Sequence, residues 1–161
     1  MKHEASIRLL NRAVADELQA VHQYMYFHFH LADQGFGPLS ALFRRIAIEE
    51  MGHVERLAER ILFLKGDVEM VLAGPVEPIT DAEAMLRKAA AMEDASAAEY
   101  NQFALECAAA ADSASKQIFE QLVQDEERHY DLFDQQVDNI QRFGPSYLAL
   151  QSFGEGGDGV G

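Results

Sequence analysis

Apolar residues along this chain recur in steps of three and four, the spacing of one helix face, and nowhere alternate as a half-buried strand would. The pattern is punctuated by Pro38, Pro75, Pro78 and Pro145 and by few glycines before the final stretch. These breakers predict four long helices. The first runs from about His3 to Asp33 and stops at "DQGFGP". The second starts near Pro38, a favourable first-turn residue, and runs to Leu64, ending at Gly66. The third follows Thr80, whose spacing to Glu83 fits a capping box, and runs to about Ala110. The fourth follows Asp112 or Ser113 and continues to Phe143, with Gly144 and Pro145 as its stop. "GDVEMVLAGPVEPIT" is a long connection between the second and third, "PSYLALQSF" suits a short fifth helix, and "GEGGDGVG" suits a flexible tail. The expected class is therefore all-α: a four-helix bundle over residues 1–153, with a long crossover between helices 2 and 3, and a tail over 154–161. The short first and third connections make two antiparallel pairs, which the crossover joins.

The apolar stripes are interrupted at matching places. On the second helix the stripe reads Phe43, Ile46, Glu50, His53, Leu57, Ile61, Leu64; on the fourth, Phe119, Leu122, Glu126, His129, Phe133, Val137, Ile140. Each carries a Glu-x-x-His pair where two apolar residues belong. The first helix places Leu10, Glu17, Tyr24 and Leu31 at steps of seven, and the third places Leu86, Glu93, Tyr100 and Cys107 likewise. Glu17 and Glu93, Glu50 and Glu126, His53 and His129, and Tyr24 and Tyr100 are each separated by 76 residues. Repetition at one offset marks an internally duplicated site. Glu49 and Asp125 also lie four residues from the histidine of their own helix, but off the stripe, and are assigned to its flank.

A lone Glu-x-x-His is usually a surface salt-bridge pattern. Two of them on apolar stripes, each with a partner glutamate at equal spacing, are not. Four carboxylates in an apolar bundle would each cost several kcal/mol to desolvate and would repel one another. Lysine or arginine could neutralise them, but the stripes contain neither. Two divalent cations balance the charge, and two imidazoles complete their coordination; oxygen-rich ligands with one nitrogen per metal suit iron or manganese better than a thiolate-rich structural zinc set. One Glu from each of two helices plus Glu-x-x-His from each of the other two is the ligand set of ferritin-like di-iron and di-manganese proteins.

Composition narrows the field further. The chain has 161 residues, 48% of them hydrophobic, which suits one domain with a real core. A net charge of −14 argues against nucleic-acid binding and is compatible with attracting cations. No apolar run approaches a membrane span, the start "MKHEASIRLL" lacks a secretory signal, and Cys107 is the only cysteine, so a cytoplasmic protein is expected.

From "LNRAVADELQAVHQY" through "IEEMGHVERLAERILFLKG" and "EAMLRKAAAMEDA" to "VQDEERHYDLF" and "YLALQ", the sequence resembles the bacterioferritins over nearly its whole length. The resemblance implies a cage of twenty-four identical subunits built from two-fold dimers. It implies ferroxidase activity, oxidising Fe(II) with O2 or H2O2 and storing a ferric mineral. Haem b or a related porphyrin would sit between two subunits, and a ferredoxin is a possible electron donor. On matching positions, Glu50 and Glu126 would bridge two irons, with Glu17 and His53 on one and Glu93 and His129 on the other. Tyr24 matches a tyrosine beside the site, a candidate one-electron donor or hydrogen-bond partner, whereas Tyr100 is taken as core packing. Met51 lies about 100° around the helix from Glu50. A methionine there is ordinarily subunit packing, but it coincides with the family's axial haem ligand. Arg45 stands where some members carry a histidine that helps bind iron on the inner wall, which argues against that accessory site here. His28 shares the Glu17 stripe but lies about 16 Å further along at about 1.5 Å per residue, so it, His22 and His30 are read as structural or surface residues. A rubrerythrin-like di-iron peroxidase without mineral storage is the rival; it would leave Met51 unexplained, and the chain has no C-x-x-C electron-donor motif.

Overall fold

The computed structural model describes residues 3–153. It contains α1 (Glu4–Asp33), α2 (Gly37–Phe63), α3 (Ala82–Ala109), α4 (Ser113–Phe143) and the short α5 (Pro145–Leu150), with no strand among the described residues. The expected tail, 154–161, lies outside the described residues. No described helix is long and apolar enough to cross a membrane.

The ends of the helices follow their local chemistry. Gly35, at φ +83°, lets Phe36 N–H bond back to Leu31 O at 2.9 Å and closes α1. The same bond recurs after α2, from Gly66 to Ile61, and after α3, from Asp112 to Cys107, but there Lys65 and Ala111 take the left-handed conformation. Gly66 is needed for a different reason: a Cβ on it would lie 2.8 Å from Ile7 Cγ2. The start of α3 differs from the expected capping box. Asp81, not Thr80, is the cap, its carboxylate accepting from Ala84 N–H at 2.9 Å. Both residues are good caps, and the carboxylate also suits the positive end of the helix dipole.

The α4 cap joins two helices. Asp112 accepts from Ser115 N–H at 3.2 Å and from Arg60 of α2 at 2.6 Å. Burial works to raise its pKa, but these hydrogen bonds, with that of Ser6, outweigh it and hold the carboxyl at about 2. A depressed carboxylate stabilises the fold above its unfolded pKa and loses that contribution as pH falls through the folded value. Asp112→Ala is thus expected to cost about 1–2 kcal/mol at neutral pH. Thermal melts of variant and wild type should converge as the pH is taken from about 4 to about 2.

The chain climbs α1, descends α2, climbs the crossover, descends α3 and climbs α4. The crossover is fastened to α1 by amide side chains. Asn11 donates to Asp67 O and accepts from Glu69 N–H, both at 2.9 Å. Gln19 donates to Pro75 O and accepts from Gly74 N–H. Gln23 donates to Glu77 O and accepts from Glu77 N–H, and Gln34 donates to Thr80 O. An irregular segment thereby finds partners for its backbone along a helix face.

The core is two apolar plugs with a polar layer between them. One contains Tyr24, Phe27, Phe43 and Phe133; the other contains Tyr100, Phe103 and Phe119. The 76-residue repeat governs their packing. Ring centroids of Tyr24 and Phe43 are 5.7 Å apart and those of Tyr100 and Phe119 5.8 Å; Phe27 and Phe43 meet at 5.3 Å and 72°, Phe103 and Phe119 at 5.4 Å and 71°. The two halves of the bundle are related by an approximate two-fold axis through the polar layer.

Candidate metal centre

Between the plugs, each of the four long helices contributes a buried acid. Glu17, Glu50, Glu93 and Glu126 are each 1% exposed, His53 is 4% and His129 0%. Their ligand atoms converge in two overlapping groups. Glu17, Glu50, His53 and Glu126 lie within 4.8 Å of one another, as do Glu50, Glu93, Glu126 and His129. Glu50 and Glu126 belong to both groups, and the two imidazoles face each other across 6.0 Å. All six residues expected from the sequence are brought together.

The histidines are aimed by what they bond on either side. His53 Nδ1 points into the cluster, 3.3 Å from Glu17 Oε1, 3.3 Å from Glu50 Oε1 and 3.2 Å from Glu126 Oε1. His129 Nδ1 lies 3.0 Å from Glu50 Oε1 and 3.5 Å from Glu93 Oε1. Their outer nitrogens bond to flanking acids of the opposite helix. His53 Nε2 meets Asp125 Oδ2 at 3.0 Å, and His129 Nε2 meets Glu49 Oε2 at 2.5 Å. Glu49 and Asp125 thus serve the histidine across the bundle, not the one on their own helix. A carboxylate on the outer nitrogen keeps the proton there and presents the inner lone pair to the cluster.

The tyrosines repeat the symmetry. Tyr24 Oη donates to Glu93 Oε1 at 2.8 Å, and Tyr100 Oη donates to Glu17 Oε1 at 2.9 Å. Tyr100 therefore belongs to the site, which corrects its reading as core packing. Heptad spacing identifies a buried position but does not say which helix the hydroxyl meets. Burial, with the nearby Glu93 or Glu17, pushes both phenols well above their ordinary pKa.

Burial, then Glu17 and the other carboxyls, push Glu50 and Glu126 well above the usual carboxylate range. Burial disfavours charge on His53 and His129, but the carboxylates around them win and raise both. Glu17 Oε2, Glu50 Oε1, Glu93 Oε2, Glu126 Oε1 and His129 Nδ1 are buried without a hydrogen bond. Converging orphaned donor atoms are the signature of a ligand set, and eight oxygens with two nitrogens fit two hard or borderline divalent ions.

The remaining candidates lie elsewhere. Met51 is 51% exposed on the outside of α2, with Ile48 at 46% one turn earlier. His28 is tied to Ser40 at 2.8 Å at the α1–α2 turn, and His30 lies against Tyr26. Arg45 lines a pocket with Pro38, Gln136 and Tyr147 that includes none of the six clustered residues.

Comparison with known proteins agrees with this geometry. The ferritin-like domain family matches residues 7–143. A bacterioferritin of Desulfovibrio desulfuricans is 36% identical over 143 residues, covering 89% of this chain and 80% of that protein. One from Rhodobacter capsulatus is 36% identical over 152 residues, covering 93% and 94%. The X-ray structure of the Desulfovibrio desulfuricans bacterioferritin, which describes its diiron site in different catalytic states, superposes with a TM-score of 0.94 at 33% identity, over 98% of this chain and 92% of that one.

Proposed function

This chain belongs to the bacterioferritin family of ferritin-like proteins, and on that premise we propose that it is a ferroxidase that oxidises Fe(II) and stores the product. The observation that carries the proposal is the pair of overlapping ligand groups sharing Glu50 and Glu126. Fe(II) is the substrate. One ion is held by Glu17 and His53, the other by Glu93 and His129, with Glu50 and Glu126 between them. As the ions bind, they displace protons from Glu50, Glu126, His53 and His129, so uptake releases protons and tightens with rising pH. Hard anionic oxygens favour Fe(III) over Fe(II) and draw the oxidation forward. The electrons balance with two Fe(II) reducing one O2, with two protons, to H2O2, or one H2O2, with two protons, to two waters. Tyr24 and Tyr100 hold the terminal carboxylates in place through their hydrogen bonds to Glu93 and Glu17.

The further assembly is proposed on family grounds. A closed cage of twenty-four copies built from two-fold dimers would hold the mineral, in the cytoplasm, where a ferredoxin-like donor would return electrons for release. A haem between two copies would be held by Met51, whose thioether is exposed on the outside of α2 beside exposed Ile48, and by the same methionine of the second copy. Bound there, haem would supply one-electron transfer.

The test is iron retention. Fe(II) added stepwise in air to metal-free protein, followed by desalting, is expected to leave far more than two irons per chain. A plateau near two would keep the centre but favour the rubrerythrin-like peroxidase reading. Oxidation no faster than in buffer would overturn the ferroxidase assignment.

A further inference from the structure

On the α2–α4 side of the centre the flanking groups form one connected set. Glu49 Oε2 accepts from both His129 Nε2, at 2.5 Å, and Arg128, at 2.6 Å. Asp125 accepts from His53 Nε2 at 3.0 Å, and its other oxygen lies 3.9 Å from the same guanidinium. Exposure runs from 0% at the His129 side chain through 33% at Glu49 to 51% at Arg128, so three side chains link the buried layer to solvent. An exposed ion pair alone is worth little. This one differs because its acceptor oxygen is shared with a fully buried imidazole.

The approximate two-fold makes the arrangement unequal. Glu49 and Asp125 are counterparts at the 76-residue offset, as are the two histidines, but the counterpart of Arg128 is Gly52, which has no side chain. One guanidinium therefore serves both carboxylates, gripping Glu49 closely and Asp125 loosely. Arg56 also approaches Asp125, at 3.8 Å.

We infer that Arg128 is a positioning residue for the centre: by fixing Glu49, and to a lesser degree Asp125, it sets which nitrogen and which ring plane the histidines present to the metals. The effect falls mainly on the half containing His129 and Glu93. The inference rests on the metal reading of the cluster given above. Partners that orient a ligating histidine in this way typically change metal affinity about 10–100-fold.

Co(II), followed by its visible absorption, probes the ligand field without oxidation chemistry. Metal-free full-length protein is titrated as wild type, Arg128→Ala and Arg128→Lys. The wild type is expected to bind two ions per chain. In Arg128→Ala one of the two should weaken about tenfold or more while the other stays within about twofold, and Arg128→Lys should recover most of the loss. Anomalous diffraction from Arg128→Ala crystals at one Co(II) per chain should then place the ion beside His53 and Glu17. Unchanged affinities would overturn the inference, as would equal loss of both ions together with a lowered Tm, or an ion left beside His129. If the wild type itself binds no Co(II), the metal reading falls and takes the inference with it.

Discussion

Glu126→Gln is expected to slow Fe(II) oxidation by roughly a hundredfold, at the top of the range for losing a group that only supports a ligand, while the metal-free protein melts at the same temperature or higher. Glu126 is one of two carboxylates shared by both ligand groups, so its loss weakens both ions together. The stability half of the expectation follows from the same geometry. Glu126 is buried against Glu17, Glu50 and Glu93, and its ionised form is disfavoured by burial and by all three. An amide of equal volume is neutral there without having to hold a proton, and it leaves no cavity. Initial rates of ferric absorbance, set beside calorimetric melts of the apo forms, check both halves. A variant oxidising within a few-fold of wild type would show that Glu126 is not a shared ligand. A sharply lowered melt would show that the carboxyl is structural.

Met51→Leu is expected to abolish tight haem binding, weakening it by about a hundredfold or more, and to leave the rate of iron oxidation unchanged. Leucine keeps the volume and the apolar character of the side chain but has no lone pair to give a haem iron. The two activities separate because Met51 projects outward, 51% exposed, while Glu50 beside it is 1% exposed. Since each copy would supply one axial ligand, the substitution removes both at once. Haem titration read at its strongest visible band, on wild type and variant prepared without porphyrin, measures the loss; equal affinity would dismiss Met51 as a ligand.

The bundle and the convergence of six inward-facing acids and histidines were readable from the chain because burial leaves a periodic trace. A glutamate or histidine standing where Leu57 or Ile61 sets the pattern is visible without knowing any contact, and the 76-residue offset rules out accident. Contacts between helices leave no such trace. Tyr100 sits in a heptad like any packing residue, and only the antiparallel approach of α1 and α3 brings its hydroxyl to Glu17. Glu49 and Asp125 look attached to their own histidines at four-residue spacing, yet the pairing of α2 with α4 crosses them over. At the start of α3, Thr80 and Asp81 are adjacent caps, and the choice between them turns on backbone geometry that no spacing rule encodes. Nothing in the sequence marks Asn11, Gln19 and Gln23 as the crossover's fastenings, because a segment without periodicity gives no hint of where it runs.

Those three amides have a further consequence. Each addresses main-chain atoms of the crossover, so it is indifferent to which side chains the crossover carries. What it registers is count: the positions of residues 67 to 77 relative to one another along α1. Under natural drift such a segment can change its spelling freely, as far as this fastening is concerned, but not its length, since one inserted residue would shift every later backbone group past its amide. In heredity the crossover behaves as a ruler rather than as a rope.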